Sequence, residues 1–313
     1  MTTRARVLAV LAFSAVSASA AHAMPGFSPW APAINAEQVP GTSSELNTPS
    51  LDGCPIQSPD GLSLYMASNR PRFAGDTRTD LDIWVAHRQS VNAPWGAPQN
   101  LGSPINSTAN DFCPTPVHGR GLFFVSNRAI EGACGGSDIY FARHNPDHGW
   151  SEPVHFLCTW QGGPNGALDE MGPSYVNAGG PSLYFSSGPD IYLSERLRED
   201  SFGPAAPVEE LNSAAADIQP NVRRDGREIV FASNRLSGDQ DLWVSTRDDV
   251  DDPWSAPANL GSAVNTAANE TRPALSWDGT TLYFGRAPVP GGPTDITEGS
   301  SDIFVTTRQK ARG

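Results

Sequence analysis

Short apolar runs recur along this chain and are closed off by turn residues each time: Leu64-Tyr65-Met66-Ala67, Leu122-Phe123-Phe124-Val125, Leu183-Tyr184-Phe185, Ile229-Val230-Phe231 and Leu282-Tyr283-Phe284. They are too short for helices, rich in aromatic and β-branched residues, and bounded by Gly, Pro and Asp, which predicts strands. Each is preceded by a turn such as Ser58-Pro59-Asp60-Gly61, Arg224-Asp225-Gly226 or Trp277-Asp278-Gly279. Each is followed by an Asp, an aliphatic residue and an aromatic, as in Asp82-Ile83-Trp84, Asp138-Ile139-Tyr140, Asp190-Ile191-Tyr192, Asp241-Leu242-Trp243 and Asp302-Ile303-Phe304. A last segment opens on Trp95, Trp150, Phe202 or Trp254 beside a proline.

A polar signature precedes every apolar run: Asn, four residues, an acid, two residues, Pro. It reads Asn47/Asp52/Pro55, Asn106/Asp111/Pro114, Asn165/Glu170/Pro173, Asn212/Asp217/Pro220 and Asn265/Glu270/Pro273. Five copies of a four-stranded unit predict an all-β fold, a five-bladed β-propeller with four-stranded blades. The fifth unit ends near Arg308, after its third strand, whereas Pro29-Trp30-Ala31-Pro32 matches the outer segment Pro94-Trp95-Gly96-Ala97-Pro98. The N-terminal strand is therefore expected to complete the last blade and close the ring, which removes an exposed sheet edge.

The Ser-Pro-Asp-Gly turn, the Ser-Asn-Arg endings at Ser68-Asn69-Arg70, Ser126-Asn127-Arg128 and Ser233-Asn234-Arg235, and the Asp-Ile-Tyr/Trp strands resemble the WD-like repeats of TolB-type propellers. The resemblance runs over residues 28 to 308. It implies a periplasmic or secreted binding and scaffolding module. A second resemblance concerns only the acids: known five-bladed glycoside hydrolases carry Asp, Asp and Glu on the inner strands of their first three blades. By that likeness Asp52 would be the base, Asp111 the orienting group and Glu170 the acid. Inversion needs two carboxyls ~6.5 to 9.5 Å apart.

Composition adds compartment. Arg4 and Arg6, the apolar stretch from Val7 and the small-residue exit Ala21-His22-Ala23 form the pattern of a signal peptide over residues 1–23, leaving 24–313 as one propeller domain. The remaining 19 basic and 34 acidic side chains give a formal charge of −15. Such a surface repels a phosphate backbone, so nucleic acid is not an expected partner. No later segment is long and apolar enough to insert in a membrane as a helix, and a monomer is expected. Four cysteines in an oxidising compartment predict disulfides, with Cys134 paired to Cys158 and Cys54 to Cys113.

The expected function is non-catalytic binding of a protein, peptide or glycan at the channel mouth, with glycoside hydrolysis as the alternative. The starts of the inner strands should gather Asp52, Asp111, Glu170, Asp217 and Glu270 in a ring around the channel. These acids either hold a ligand or accept bonds from backbone amides and from Arg70, Arg128, Arg235 and Arg286. The third blade departs from the pattern, with Ser186-Ser187-Gly188 in place of Ser-Asn-Arg, and a longer connection containing His155, Cys158 and Trp160. A lowered rim beside an extended loop suggests a lateral pocket in which Trp160 and His155 meet a ligand. No metal or cofactor motif is complete. Asp76, Asp80 and Asp82 leave calcium as the one cofactor to consider, without the Gly and distal Glu of a calcium loop.

Overall fold

The computed structural model describes residues 26–119, 121–198, 201–236, 238–288 and 301–311; the expected export signal at 1–23 lies outside them. It is a five-bladed β-propeller of antiparallel sheets. Blade 1 runs from an inner strand Asp52–Gln57 through Ser63–Ser68 and Asp82–His87 to an outer strand Gln99–Asn100. The inner strands of blades 2 to 5 are Asp111–Val117, Glu170–Val176, Asp217–Val222 and Asn269–Leu275. Ring closure follows the sequence reading, with the ladder pairing displaced by four residues. The ladder residues against Asp302–Thr307 are Ile34–Asn35, just as Gln99–Asn100 follows Trp95 in blade 1, and the Trp30 segment extends the contact through the Ala31 N–H, which donates to the Thr307 carbonyl at 2.9 Å.

The strands read as continuous apolar runs because both faces are covered. Leu64 and Met66 pack toward Tyr283 and Val305 of blade 5, whereas the intervening Tyr65 packs with Leu122 and Phe124 of blade 2. Each such large side chain stabilises the ring by about 1.5–3 kcal/mol when fully buried.

The repeated Asn is a clamp between blades. Its side chain accepts from the backbone N–H of a third-strand residue in the preceding blade and donates to that residue's carbonyl. Asn106 does so with Ile83 at 2.8 and 2.9 Å, Asn165 with Ile139 at 2.9 and 3.2 Å, and Asn212 with Ile191 at 2.7 and 3.0 Å. Asn265 holds Leu242 the same way. Asn47 does so with Ile303, which joins the first unit to the last.

Every inner strand also carries a bulge just after its acid. The residue two positions beyond the acid has positive φ each time: Cys54 (49°), Cys113 (47°), Gly172 (57°), Gln219 (57°) and Arg272 (56°). Such a conformation is uncommon for non-glycine residues, and here it places one residue per blade around the axis. At Gly172 a Cβ would fall 2.7 Å from Gln219 Cα, so this member of the ring has no side chain.

Candidate functional site

The five acids begin the inner strands as expected, and all five are completely buried. In four blades the same device satisfies them. Asp52 accepts from Thr48 N and Oγ1 at 2.6 and 2.8 Å and pairs with Arg70 at 2.5 Å. Asp111 accepts from Ser107 at 2.6 and 2.8 Å and pairs with Arg128 at 2.7 Å. Asp217 is held by Ser213 and Arg235, and Glu270 by Thr266 and Arg286 at 2.8 Å. The arginines lie against aromatic faces, Arg70 on Trp84 and Arg235 on Trp243. Of the two expected readings of these acids, the bonds in four blades are those of the structural one: each carboxylate accepts from a backbone amide and from its repeated arginine, tying the clamp turn to the second strand of the same blade.

Blade 3 breaks the device. The Arg is missing, and Glu170 Oε1 accepts from Gly166 N at 3.0 Å and Ser187 Oγ at 2.8 Å, while Oε2 is buried without a partner. At Gly166 a Cβ would meet Glu170 Oε1 at 3.1 Å and Ser187 Oγ at 3.3 Å, so a larger residue would press on this pair. Burial pushes the Glu170 carboxyl up to about 8, the Ser187 and Gly166 bonds oppose this, and the charge of Asp138 adds to it. Among the ring acids, only Glu170 lacks an arginine, an arrangement suited to carrying a proton.

The lowered rim of blade 3 is present as a two-residue turn, Gly188-Pro189, between paired Ser187 and Asp190. Beside it, Trp160 is 65% exposed, so it does not anchor its loop. His155 is half-buried and engaged within its own blade. It occupies the outer-strand position of Asn100 and Asn259, which bond Asp82 and Asp241, and its Nε2 lies 2.8 Å from Asp138. Cys134, Asp138 and His155 form the one grouping of possible metal ligands among the described residues, but Cys134 is bonded to Cys158 with Cα atoms 5.4 Å apart and offers no thiolate. Cys54 is bonded to Cys113 at a Cα separation of 5.0 Å, so both expected pairs are present. Arginines occupy the would-be calcium loop: Arg72 contacts Asp76, Asp80 and Asp82, and Arg78 contacts Asp80.

An open concavity lies at the other end of the inner strands. There the channel widens into a cavity of about 450 Å³ whose lining includes Gln57, His118, Tyr175, Asn177, Arg224 and Trp277. Further in, it narrows to a constriction ringed by Pro55, Pro114, Pro173, Pro220 and Pro273 and by the axial residues Cys54, Cys113, Gln219 and Arg272. The mouth is built from the turns that link inner to second strands. The residue seven positions after each acid is Pro59, His118, Asn177, Arg224 or Trp277. Sequence reasoning treated these turns as punctuation, although the changing chemistry at this position was visible on aligning the repeats. Arg224 lies over the Trp277 ring at 4.9 Å, and His118 stands 6.2 Å from the same ring.

No protein-family model matches the chain, and no curated protein does. Solved structures do resemble it. The catalytic domain of a GH62 α-L-arabinofuranosidase from Coprinopsis cinerea matches with a TM-score of 0.57 at 14% identity, over 93% of this chain and 100% of that one. An α-L-arabinofuranosidase from Lactobacillus brevis matches at 0.54 and 14%, over 88% and 94%. A putative TolB from Agrobacterium tumefaciens gives 0.47 and 15%, over 92% and 99%. The two arabinofuranosidase likenesses are likenesses of fold. Among the described residues, no helix is long and apolar enough to cross a membrane.

Proposed function

We propose that this chain is a single-domain, glycan-recognising propeller that works outside the cytoplasm, with its ligand at the wide mouth of the channel. The observation that carries the reading is the composition of that mouth. Tyr175 and Trp277 supply apolar ring faces, Gln57, Asn177 and Arg224 supply hydrogen-bonding groups, and the cavity is about 450 Å³. Flat aromatic faces with a few fixed polar groups suit the alternating C–H and O–H surfaces of a sugar ring. Two disulfides fit an oxidising compartment, and the similar folds reported above include arabinofuranosidases. A glycan array probed with the wild type and Trp277→Ala tests it. Retention without release of sugar, lowered about tenfold or more by the substitution, is expected; retention indifferent to Trp277 overturns the placement.

Glycoside hydrolysis is the second reading, and Glu170 favours it. Its carboxyl is held protonated near neutral pH, as a general acid requires. Against it, Asp52 and Asp111 are each engaged by an arginine and a clamp turn, which leaves neither free to activate water. Sugar release from arabinose-containing glycans that disappears in Glu170→Gln would establish this reading over the first.

A further inference from the structure

Although the chain carries 34 acidic against 21 basic residues, no Asp or Glu among the described residues lines the mouth cavity or the constriction beneath it. Two arginines do, Arg224 at the rim and Arg272 at the axis. Neither guanidinium has a carboxylate or hydrogen-bond acceptor among the described residues; Arg224 has only the Trp277 face, and Arg272 bonds Gln219 through its backbone N–H. Their counterparts deeper in the blades, Arg70, Arg128, Arg235 and Arg286, are all paired with carboxylates. The turn carboxylates just outside the rim are already engaged. Asp60 accepts from Ser58 and Leu62, Asp225 from Arg223 and Arg227, and Asp278 from Ser276 and Thr280.

We infer that the channel selects an acidic saccharide, a glycan bearing uronic-acid carboxylates, with Arg224 and Arg272 as its anion-binding groups. The inference rests on the glycan reading above and narrows it. Arg272 is half-buried at the axis, and an unpaired cation partly withdrawn from water is costly until an anion compensates it; Arg224 is exposed at the rim, where its guanidinium, like that of Arg272, offers a carboxylate two parallel N–H donors. Burial lowers the Arg272 pKa to about 10, which still leaves it charged at neutral pH. From Arg272 to the rim is about five residues of strand, roughly 16 Å at ~3.3 Å per residue, so the channel has the reach for an extended ligand rather than one small ion. Tyr175 and Trp277 favour a sugar as carrier of the charge over bare phosphate.

The test is isothermal titration calorimetry of the purified protein with tri-uronates of several linkages, their carboxyl-reduced neutral counterparts, a free uronic acid and inorganic phosphate. A tri-uronate should bind about tenfold or more tighter than its reduced form, and added salt should weaken it. Arg224→Gln and Arg272→Gln should each weaken the tri-uronate more than the reduced form, so that the preference between the two narrows. Gln is compatible with the axial backbone, since Gln219 holds the same conformation one blade earlier. Equal affinity for acid and reduced forms overturns the charge inference and leaves the glycan reading standing. Phosphate binding as tightly as the saccharide also overturns it. Absence of binding by every saccharide, acid or neutral, sinks both.

Discussion

Glu170→Gln should stabilise this protein, and by an amount that depends on pH. In the folded state the carboxyl is desolvated, with Oε2 unpartnered and Asp138 nearby, and its pKa stands at about 8 instead of the ordinary 4.5. The unfolded chain releases this proton near 4.5, the folded chain only near 8. Between those values the folded state binds more protons, so stability falls as pH rises, and above about 8 the penalty is constant. The full difference corresponds to a ceiling on the order of 5 kcal/mol, and relaxation of the site brings the expected effect to roughly 2–3 kcal/mol. Glutamine keeps an oxygen for Gly166 and Ser187 and cannot ionise. Urea unfolding followed by tryptophan fluorescence at about pH 5 and about pH 8.5 gives the two stabilities. Wild type and variant should be close at the lower pH, with the variant more stable at the higher. Parallel pH profiles would refute the assignment of a buried, proton-holding carboxyl.

Arg128→Met strands the buried Asp111 charge and should cost about 3–5 kcal/mol in urea unfolding; adding Asp111→Asn should recover part of it, and additive losses would argue against the pair. Replacing Cys54 and Cys113 by alanine opens a link across 59 residues and should lower stability by about 2–4 kcal/mol, whereas an unchanged urea midpoint contradicts a covalent tie between blades. Deleting residues 26–35 removes the strand paired with Asp302–Thr307 and takes Phe27 and Trp30 from the Arg308 guanidinium. Cooperative unfolding of the whole ring should be lost in circular dichroism; a cooperative transition with only local fraying would show that closure is dispensable.

Blade number, strand identity, ring closure and both disulfides were legible in the sequence because they rest on local periodicity repeated five times. A run such as Leu122-Phe123-Phe124-Val125 carries its own strand signal, and cysteines on adjacent blades inherit their proximity from the repeat. The roles of the repeated polar residues were harder to read. The repeat left Asp111 either to hold a ligand or to bond an arginine, and gave Asn106 no role; in three dimensions the acid lies beneath Arg128 and the Asn grips the neighbouring blade. His155 stood out among residues of its loop, and its contact with Asp138, at the position where other blades carry an asparagine, could be seen only in three dimensions.

The sequence alone determined the ring, since each unit states its fold locally and its number by repetition. Only the tertiary structure decided where the ring is open. Whether a carboxylate is sealed or an arginine left without a partner depends on groups contributed by other blades, and it took closure of the ring to bring Arg224, Trp277 and Arg272 onto one channel.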